Sequence, residues 1–498
     1  MTHVLLASYF ATLAVLAGLG VYRLLLTFWA SRARAPKPGG GSTPRVVVQL
    51  PIFNEAFVAE RAVRAAAALD YDALEIQVLD DSTDETTATL QRVVSKLAAT
   101  GVDITLVRRD DREGYKAGAL AHGLTQTDAE LVAIFDADFV PAPDFLKKTV
   151  PLFEDGVGLV QARWTHLNRD TSLLTRAQAV FLDGHFGVEH RARAHTQHFF
   201  NFNGTAGVWR RQAIDDAGGW RSATITEDLD LSYRAQLKGW RFVYAHDVTA
   251  PAELPESWAA FRAQQARWVR GSIETTRLLF GDVWRSRLPL GVRLDAAIHL
   301  TNNFAYLFMA VLAALLPACV WLRDDLGWRV PGGQALLSIL DLTMLTAGTF
   351  AMVVFYFAAA RACEGRLSPR RIVDVVFALC LGAGMSVSNA REVLRGLASE
   401  QSEFVRTPKR GREQLTRALV RYRPVTAHKT ALLELVFALY FGATIVYALY
   451  WSLWGALPFL TLYAVGFSSV SLSSLREAWP RRTPVDAVDE WPRATPAR

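Results

Sequence analysis

The 498-residue chain is 51% hydrophobic and 20% charged, with a formal net charge of +6. Its apolar residues gather in residues 1–30 and between about Asp295 and Leu475, and arginines flank those stretches. That distribution follows membrane topology and excludes nucleic-acid binding as the reason for the basic charge. Cys319, Cys363 and Cys380 have no metal-ligand spacing, so neither a disulfide framework nor a cysteine metal site is expected.

Val4 to Tyr22 carries no charge. At about 1.5 Å per residue it can cross a hydrocarbon core of about 30 Å. A cleaved signal peptide is the competing reading, but the run is long and has no basic residue before it. An uncleaved anchor over 1–30 is expected, with Arg23 snorkelling to the inner interface. Residues 31–44, rich in Arg, Lys, Pro and Gly, form a basic flexible linker that marks the cytosolic side.

From Arg45 the pattern alternates. Strands are predicted at 45–50, 75–79, 103–107 and 131–138, with helices at 58–69, from about 85 to 99, and at 116–124. This series predicts a parallel sheet wound in the Rossmann manner. There is no G-x-G-x-x-G after the first strand, which counts against a dinucleotide cofactor. Carboxylates close two strands instead: Asp80/Asp81 and Asp136/Asp138. In extended chain Asp136 and Asp138 face one way, and a hard cation, Mg²⁺ or Mn²⁺, would relieve their repulsion. A solvated acidic turn is the plain alternative.

Between 158 and 272 lie three further signals. Phe199–Gly207 is a small-residue turn flanked by aromatics, open to close approach by a substrate. Thr226-Glu227-Asp228 opens a helix, with Thr226 the expected N-cap; the acids then either serve the helix dipole or do chemistry. Gln264, Arg267 and Trp268 share a helix face and suit a pyrophosphate and a sugar ring. A core Trp beside a snorkelling Arg explains the same pattern.

Beyond residue 281 four spans are predicted, at 295–322, 336–360, 431–451 and 453–474. The shorter stretch 372–385 has arginines on both flanks and reads as an interfacial helix, the alternative being a sixth span. With the first span starting outside, the 45–280 domain and the tail 476–498 face the cytosol. His299, Asn302 and Asn303 serve either interhelical hydrogen bonds or a polar path. The charged loop 400–412 either meets lipid headgroups or folds over a site.

Taken together these segments resemble one family. Leu50-Pro-Ile-Phe-Asn-Glu55, Val78-Leu-Asp-Asp-Ser-Thr-Asp84, Arg112 to Leu120, Phe135-Asp-Ala-Asp138, Gln161-Ala-Arg-Trp164, Phe202-Asn-Gly-Thr-Ala-Gly-Val-Trp209, Thr226-Glu-Asp228 and Gln264-Gln-Ala-Arg-Trp268 are similar, in order, to motifs of the processive family-two glycosyltransferases. That group holds the cellulose, chitin and hyaluronan synthases. Within it the chain looks most like the cellulose synthase-like A class of mannan and glucomannan synthases and its bacterial relatives. Ala266 and the Val269-Arg-Gly-Ser continuation depart from the pattern, which bears on the product rather than the chemistry.

The resemblance implies an α/β GT-A domain, Rossmann-like, joined to an α-helical multi-pass domain in the cytoplasmic membrane. It implies inverting, Mg²⁺- or Mn²⁺-dependent polymerisation of a β-linked mannan, glucomannan or glucan, the alternative being transfer of one sugar to a lipid acceptor. The implied donor is GDP-mannose, ahead of GDP-glucose or UDP-glucose, and the acceptor is the growing polysaccharide. Asp228 is the implied base, with Asp81 and Asp138 beside it in catalysis. Asp80, Asp81, Lys116, Asp136, Gln264 and Arg267 take the nucleotide sugar, and Asp138 and Asp136 the metal. Trp268, Asn203, Gly204, Thr205 and Glu227 take the acceptor. Phe404, Arg406, Thr407 and Lys409 occupy the position of a gating loop.

Overall fold

A computed structural model describes residues 2–39, 43–322, 333–365, 367–398 and 427–478. The predicted gating loop, with Phe404, Arg406, Thr407 and Lys409, and the tail 476–498 beyond residue 478 lie outside the described residues.

Seven strands form one sheet: β1 Val46–Ile52, β2 Leu74–Asp80, β3 Ile104–Arg108, β4 Leu131–Ile134, β5 Val157–His166, β6 Gly207–Arg210 and β7 Arg241–Ala252. Their order is β3-β2-β1-β4-β6-β5-β7. β3, β2, β1 and β4 are parallel, as expected of right-handed crossovers. Apolar residues on both sheet faces explain the uninterrupted burial of Val46, Val47 and Val48.

Two features depart from the predicted parallel Rossmann sheet. β6 runs antiparallel between β4 and β5, pairing Gly207 with Ile134. An antiparallel insert begins where its neighbour ends, so the 203–206 turn arrives at the carboxyl edge of β4. Secondly, β4 stops at Ile134 rather than 138. Asp136 and Asp138 therefore sit in a turn, closed by the Phe139 amide donating to the Asp136 carbonyl (3.0 Å). The alternation argument for their shared direction does not hold; the turn supplies it.

Five described helices are long and apolar enough to cross a membrane: His3–Arg32, Leu290–Trp321, Ser338–Glu364, Lys429–Tyr450 and Leu457–Glu477. A sixth is added if the pair Arg370–Gly384 and Ser386–Leu397, bent by 50°, is one broken span. Helix Arg370–Gly384 lies directly on Leu457–Ala478. A Cβ on Gly384 would meet the Gly466 carbonyl oxygen at 2.3 Å, so the two backbones touch where only small residues permit it. The three cysteines are free thiols.

The membrane helices also hold helix Trp258–Arg285, which carries Gln264, Arg267 and Trp268. Glu477 accepts the Trp258 and Ala259 amides at its start (2.9 Å each). Arg262 pairs with the fully buried Glu434 (2.7 Å), and Arg270 with Glu392 (2.8 Å).

Candidate active site

A cleft of about 250 Å³ opens at the carboxyl edge of β1, β2 and β4. Open α/β sheets bind ligands at this edge. Asp81, Lys116, Asp136 and Asp138 line one part of it, and Glu227, Asp228, Gln264, Arg267 and Trp268 line another. The two carboxylates on which the reading turns, Asp138 and Asp228, thus share a cavity.

The turn before β6 shapes the cleft floor. Gly204 has φ +77°, and a Cβ there would come within 3.1 Å of Asp228 Oδ2 and 3.4 Å of Lys116 Nζ. Ala206 adopts φ +55°, a conformation costing a non-glycine residue about 1–2 kcal/mol. It is held by its amide donating to the Ile134 carbonyl (2.8 Å) and its carbonyl accepting from Ala162 (2.9 Å). Lys116 Nζ donates to Asp136 Oδ1 (2.6 Å) and to the Gly204 carbonyl (2.8 Å), joining the two turns.

Electrostatics follow from burial. Desolvation and the neighbouring Glu227 charge push the Asp228 carboxyl up to about 7, and desolvation also raises Glu227. Burial works against the Lys116 cation, but Asp136, Glu227 and Asp228 outweigh it and its pKa rises. A carboxyl poised near neutral pH is matched to proton abstraction.

Several expected residues take other places. The Asp80 side chain is buried beneath the cleft, accepting from the Ser82 amide (2.9 Å) and Thr87 Oγ1 (2.8 Å) and pairing with Arg108 (3.3 Å). It braces the loop that presents Asp81, whose carboxylate is held by Arg109 Nε (3.1 Å) and Nη2 (2.6 Å). Thr205 is also buried, its hydroxyl accepting the Asp136 amide (2.9 Å). It shapes the D-x-D turn and does not line the cleft. Thr226 makes no side-chain cap; its hydroxyl meets Thr275 Oγ1 (3.1 Å) on the helix carrying Trp268. Asn203, Gly204 and Glu227 do line the cleft.

Sequence reasoning gave no role to Trp164, Arg112 or Phe53, which line the same cleft. Arg112 stacks over the Phe53 ring at 3.3 Å. Trp164 closes the quoted Gln161-Ala-Arg-Trp segment, the one signal that could have found it.

A second cavity, of about 530 Å³, lies beside this site among the membrane helices. Asn203, Thr226, Asp228, Gln264 and Trp268 line both. His299, Asn302 and Asn303 line the second, and two of them also bond between elements: Tyr233 Oη lies 2.8 Å from His299 Nδ1, and Asn302 Oδ1 accepts from Arg23 (3.0 Å). Arg23 is mostly buried in contacts with the rest of the chain. Glu189 and Asn302 draw its guanidinium inward, over the Phe355 ring.

Residues 44–271 match the family model described as Glycosyltransferase like family 2. Those residues form a domain of this family. Glucomannan 4-beta-mannosyltransferase 1 of Oryza sativa subsp. japonica is 43% identical over 289 residues, covering 56% of this chain and 55% of its own. Glucomannan 4-beta-mannosyltransferase 2 of Arabidopsis thaliana is 45% identical over 257 residues, covering 50% and 48%. The chain thus spans about half the length of these curated relatives. Among solved structures, a mannosyltransferase from Pyrobaculum calidifontis, in complex with GDP-Man and Mn2+, has a TM-score of 0.52 and 22% identity, covering 73% of this chain and all of that one. The glycosyltransferase domain therefore has the GT-A fold, a mixed sheet with a parallel half.

Proposed function

We propose that the protein is an inverting, divalent-metal-dependent membrane glycosyltransferase that polymerises a β-1,4-linked mannan or glucomannan from GDP-mannose and passes the chain into the membrane. The observation that carries this reading is the adjacency of two cavities: a charged cleft shared by Asp138 and Asp228, and an almost uncharged cavity among the membrane helices that borders it at Asn203 and Trp268. The activity of the two glucomannan mannosyltransferases, and the GDP-Man and Mn2+ held by the structural neighbour, support the donor and the metal.

Among the described residues no cluster of three or more His, Cys, Asp or Glu is arranged to hold an ion alone. Two carboxylates suffice for Mg²⁺ or Mn²⁺ when substrate phosphates complete the ligand set, and Asp136 and Asp138 fit that role. Asp136 also accepts from Lys116, and Asp138 is the main ligand in this scheme. Bound there, the ion supplies charge neutralisation for the departing diphosphate.

The remaining work falls to side chains. Asp228 takes the proton of the attacking sugar hydroxyl, a step worth about 10²- to 10⁴-fold. Lys116 and Arg267 bring positive charge to the diphosphate side. Trp268, at the junction of the two cavities, stacks the terminal acceptor sugar and holds it for attack. Asp81 meets the nucleoside, and Gln264 lies beside Trp268. The orientation that goes with this scheme puts the domain in the cytosol and the protein in the cytoplasmic membrane.

A panel of radiolabelled nucleotide sugars, including GDP-mannose, GDP-glucose and UDP-glucose, offered to the purified protein in bilayers tests the reading. Long β-1,4-linked chains built from GDP-mannose are expected. A lipid carrying one sugar overturns polymerisation, and turnover of UDP-glucose alone overturns the donor.

A further inference from the structure

A helix entered through a threonine is commonly closed by that residue's hydroxyl, which accepts an amide of the first turn. Helix Glu227–Leu237, which presents Asp228, is not closed this way, since Thr226 makes no side-chain cap. Its hydroxyl turns away to Thr275 Oγ1 (3.1 Å). The amide of the preceding residue, Ile225, donates to Glu274 Oε2 (3.0 Å). Gly271 touches Thr226 as well: a Cβ there would lie 2.6 Å from Thr226 Cγ2 and 3.0 Å from its backbone nitrogen. Three residues of helix Trp258–Arg285 therefore grip the T-E-D turn where a local cap would ordinarily hold it.

Trp268, Gly271 and Thr275 are spaced i, i+3 and i+7, so they lie along one face of that helix. The ring assigned to the acceptor sugar and the groups that hold the turn of the assigned base thus ride on one rod, about two turns apart. Membrane-side helices fix the rod in turn. Arg270 pairs with Glu392 (2.8 Å), and a Cβ on Gly396 would come within 2.9 Å of Ile273 Cβ.

Glu274 has no part in the scheme above. It is half-buried; burial raises its pKa, while the Ile225 amide, Arg270 and Arg277 oppose that rise. A carboxylate that accepts a backbone amide makes one of the stronger hydrogen bonds. The charges that act most on Asp228 are Glu227, Lys116 and Asp136. The route from Glu274 to Asp228 is instead mechanical, through the backbone of Ile225 and Thr226.

We propose that Glu274, supported by Thr275 and Gly271, is a positioning residue for Asp228: it locks the T-E-D turn to the helix that carries Trp268 and so sets the base against the acceptor hydroxyl. The inference rests on the reading of Asp228 as the base. It gives helix Trp258–Arg285 a second task, holding base and acceptor in one frame, beyond bringing Gln264, Arg267 and Trp268 to the cleft.

Transfer from radiolabelled GDP-mannose by the full-length protein in nanodiscs tests this. Glu274→Ala should lower kcat about tenfold and leave the donor KM within about twofold, since a misplaced base slows attack without touching the donor side. Glu274→Gln keeps an acceptor for the Ile225 amide and should return kcat to within about twofold of wild type. The Asp228→Asn/Glu274→Ala double variant should keep the residual rate of Asp228→Asn alone, because a base already removed cannot be misplaced. Thr275→Val, which removes only the hydroxyl contact, should show the same pattern at about threefold and reads the clamp should Glu274→Ala not fold. A wild-type kcat in Glu274→Ala overturns the clamp while Asp228 keeps its role. So does a further tenfold loss in the double variant, or a Glu274→Gln as slow as Glu274→Ala, since either marks an effect that does not pass through the turn. Near-normal transfer by Asp228→Asn removes the base assignment and the clamp with it.

Discussion

The carboxylate-lined cleft and the cavity among the membrane helices share a wall yet are built on opposite electrostatic plans. The cleft gathers Lys116, Arg267, Asp136, Asp138, Glu227 and Asp228 around a small volume, and burial drives the Asp228 pKa far from its usual range. In the cavity Arg23 and Glu189 cancel, and the rest of the membrane half is mostly aliphatic and aromatic, with His299, Asn302 and Asn303 among the few polar groups. Charge concentrated in a water-poor site is what group transfer from a diphosphate needs. A neutral passage suits an uncharged product, which a fixed charge would either repel by desolvation or bind too tightly to release.

Asp228→Asn is the sharpest attempt to break that contrast. Transfer should fall about 10³-fold, while binding of GDP, followed by calorimetry, stays within about twofold. Near-normal incorporation would take the proton-abstracting role away from Asp228. Next comes the metal. Chelation by EDTA should abolish donor turnover, and Mn²⁺ or Mg²⁺ should restore it in the wild type. Asp138→Ala should need at least about tenfold more metal for the same rate. Equal metal requirements would move the ion away from the D-x-D turn.

A pH profile sharpens the comparison further. Burial raises the Asp228 pKa to about 7, and in the proposed role it would work only when deprotonated. Activity should therefore be present above that value and fall about tenfold per pH unit below it. Asp228→Asn should flatten this limb. The smallest catalytic effect belongs to the membrane side. Gly384→Ala inserts a methyl group against the Gly466 carbonyl, which should cost about 1–3 kcal/mol of stability. Read as a lower midpoint of thermal aggregation in detergent, that loss should leave the donor KM unchanged.

The strand-and-helix alternation, the long apolar runs and the chemically distinctive groups could be read from the sequence, because each is a local pattern. D-D, D-x-D, T-E-D and Q-x-x-R-W signal by spacing alone, and one helix face suffices to bring Gln264, Arg267 and Trp268 to one cleft. Asp80 and Thr205 illustrate the limit. Motif position put them in the site, but which of two adjacent carboxylates points out is decided by partners, here Thr87 and Arg108 for Asp80 and the Asp136 amide for Thr205.

Composition, motif order and apolar run length thus determined a GT-A domain joined to membrane-crossing helices, since these depend on residues near one another in the chain. The tertiary structure alone decided the antiparallel course of β6, the turn that sets Asp136 and Asp138, and the inward pairing of Arg23 with Glu189. It also decided the adjacency of the two cavities. Each of these is a meeting of segments far apart in sequence, where the gain from pairing or burying a polar group outweighs any local preference, and no local pattern records the partner.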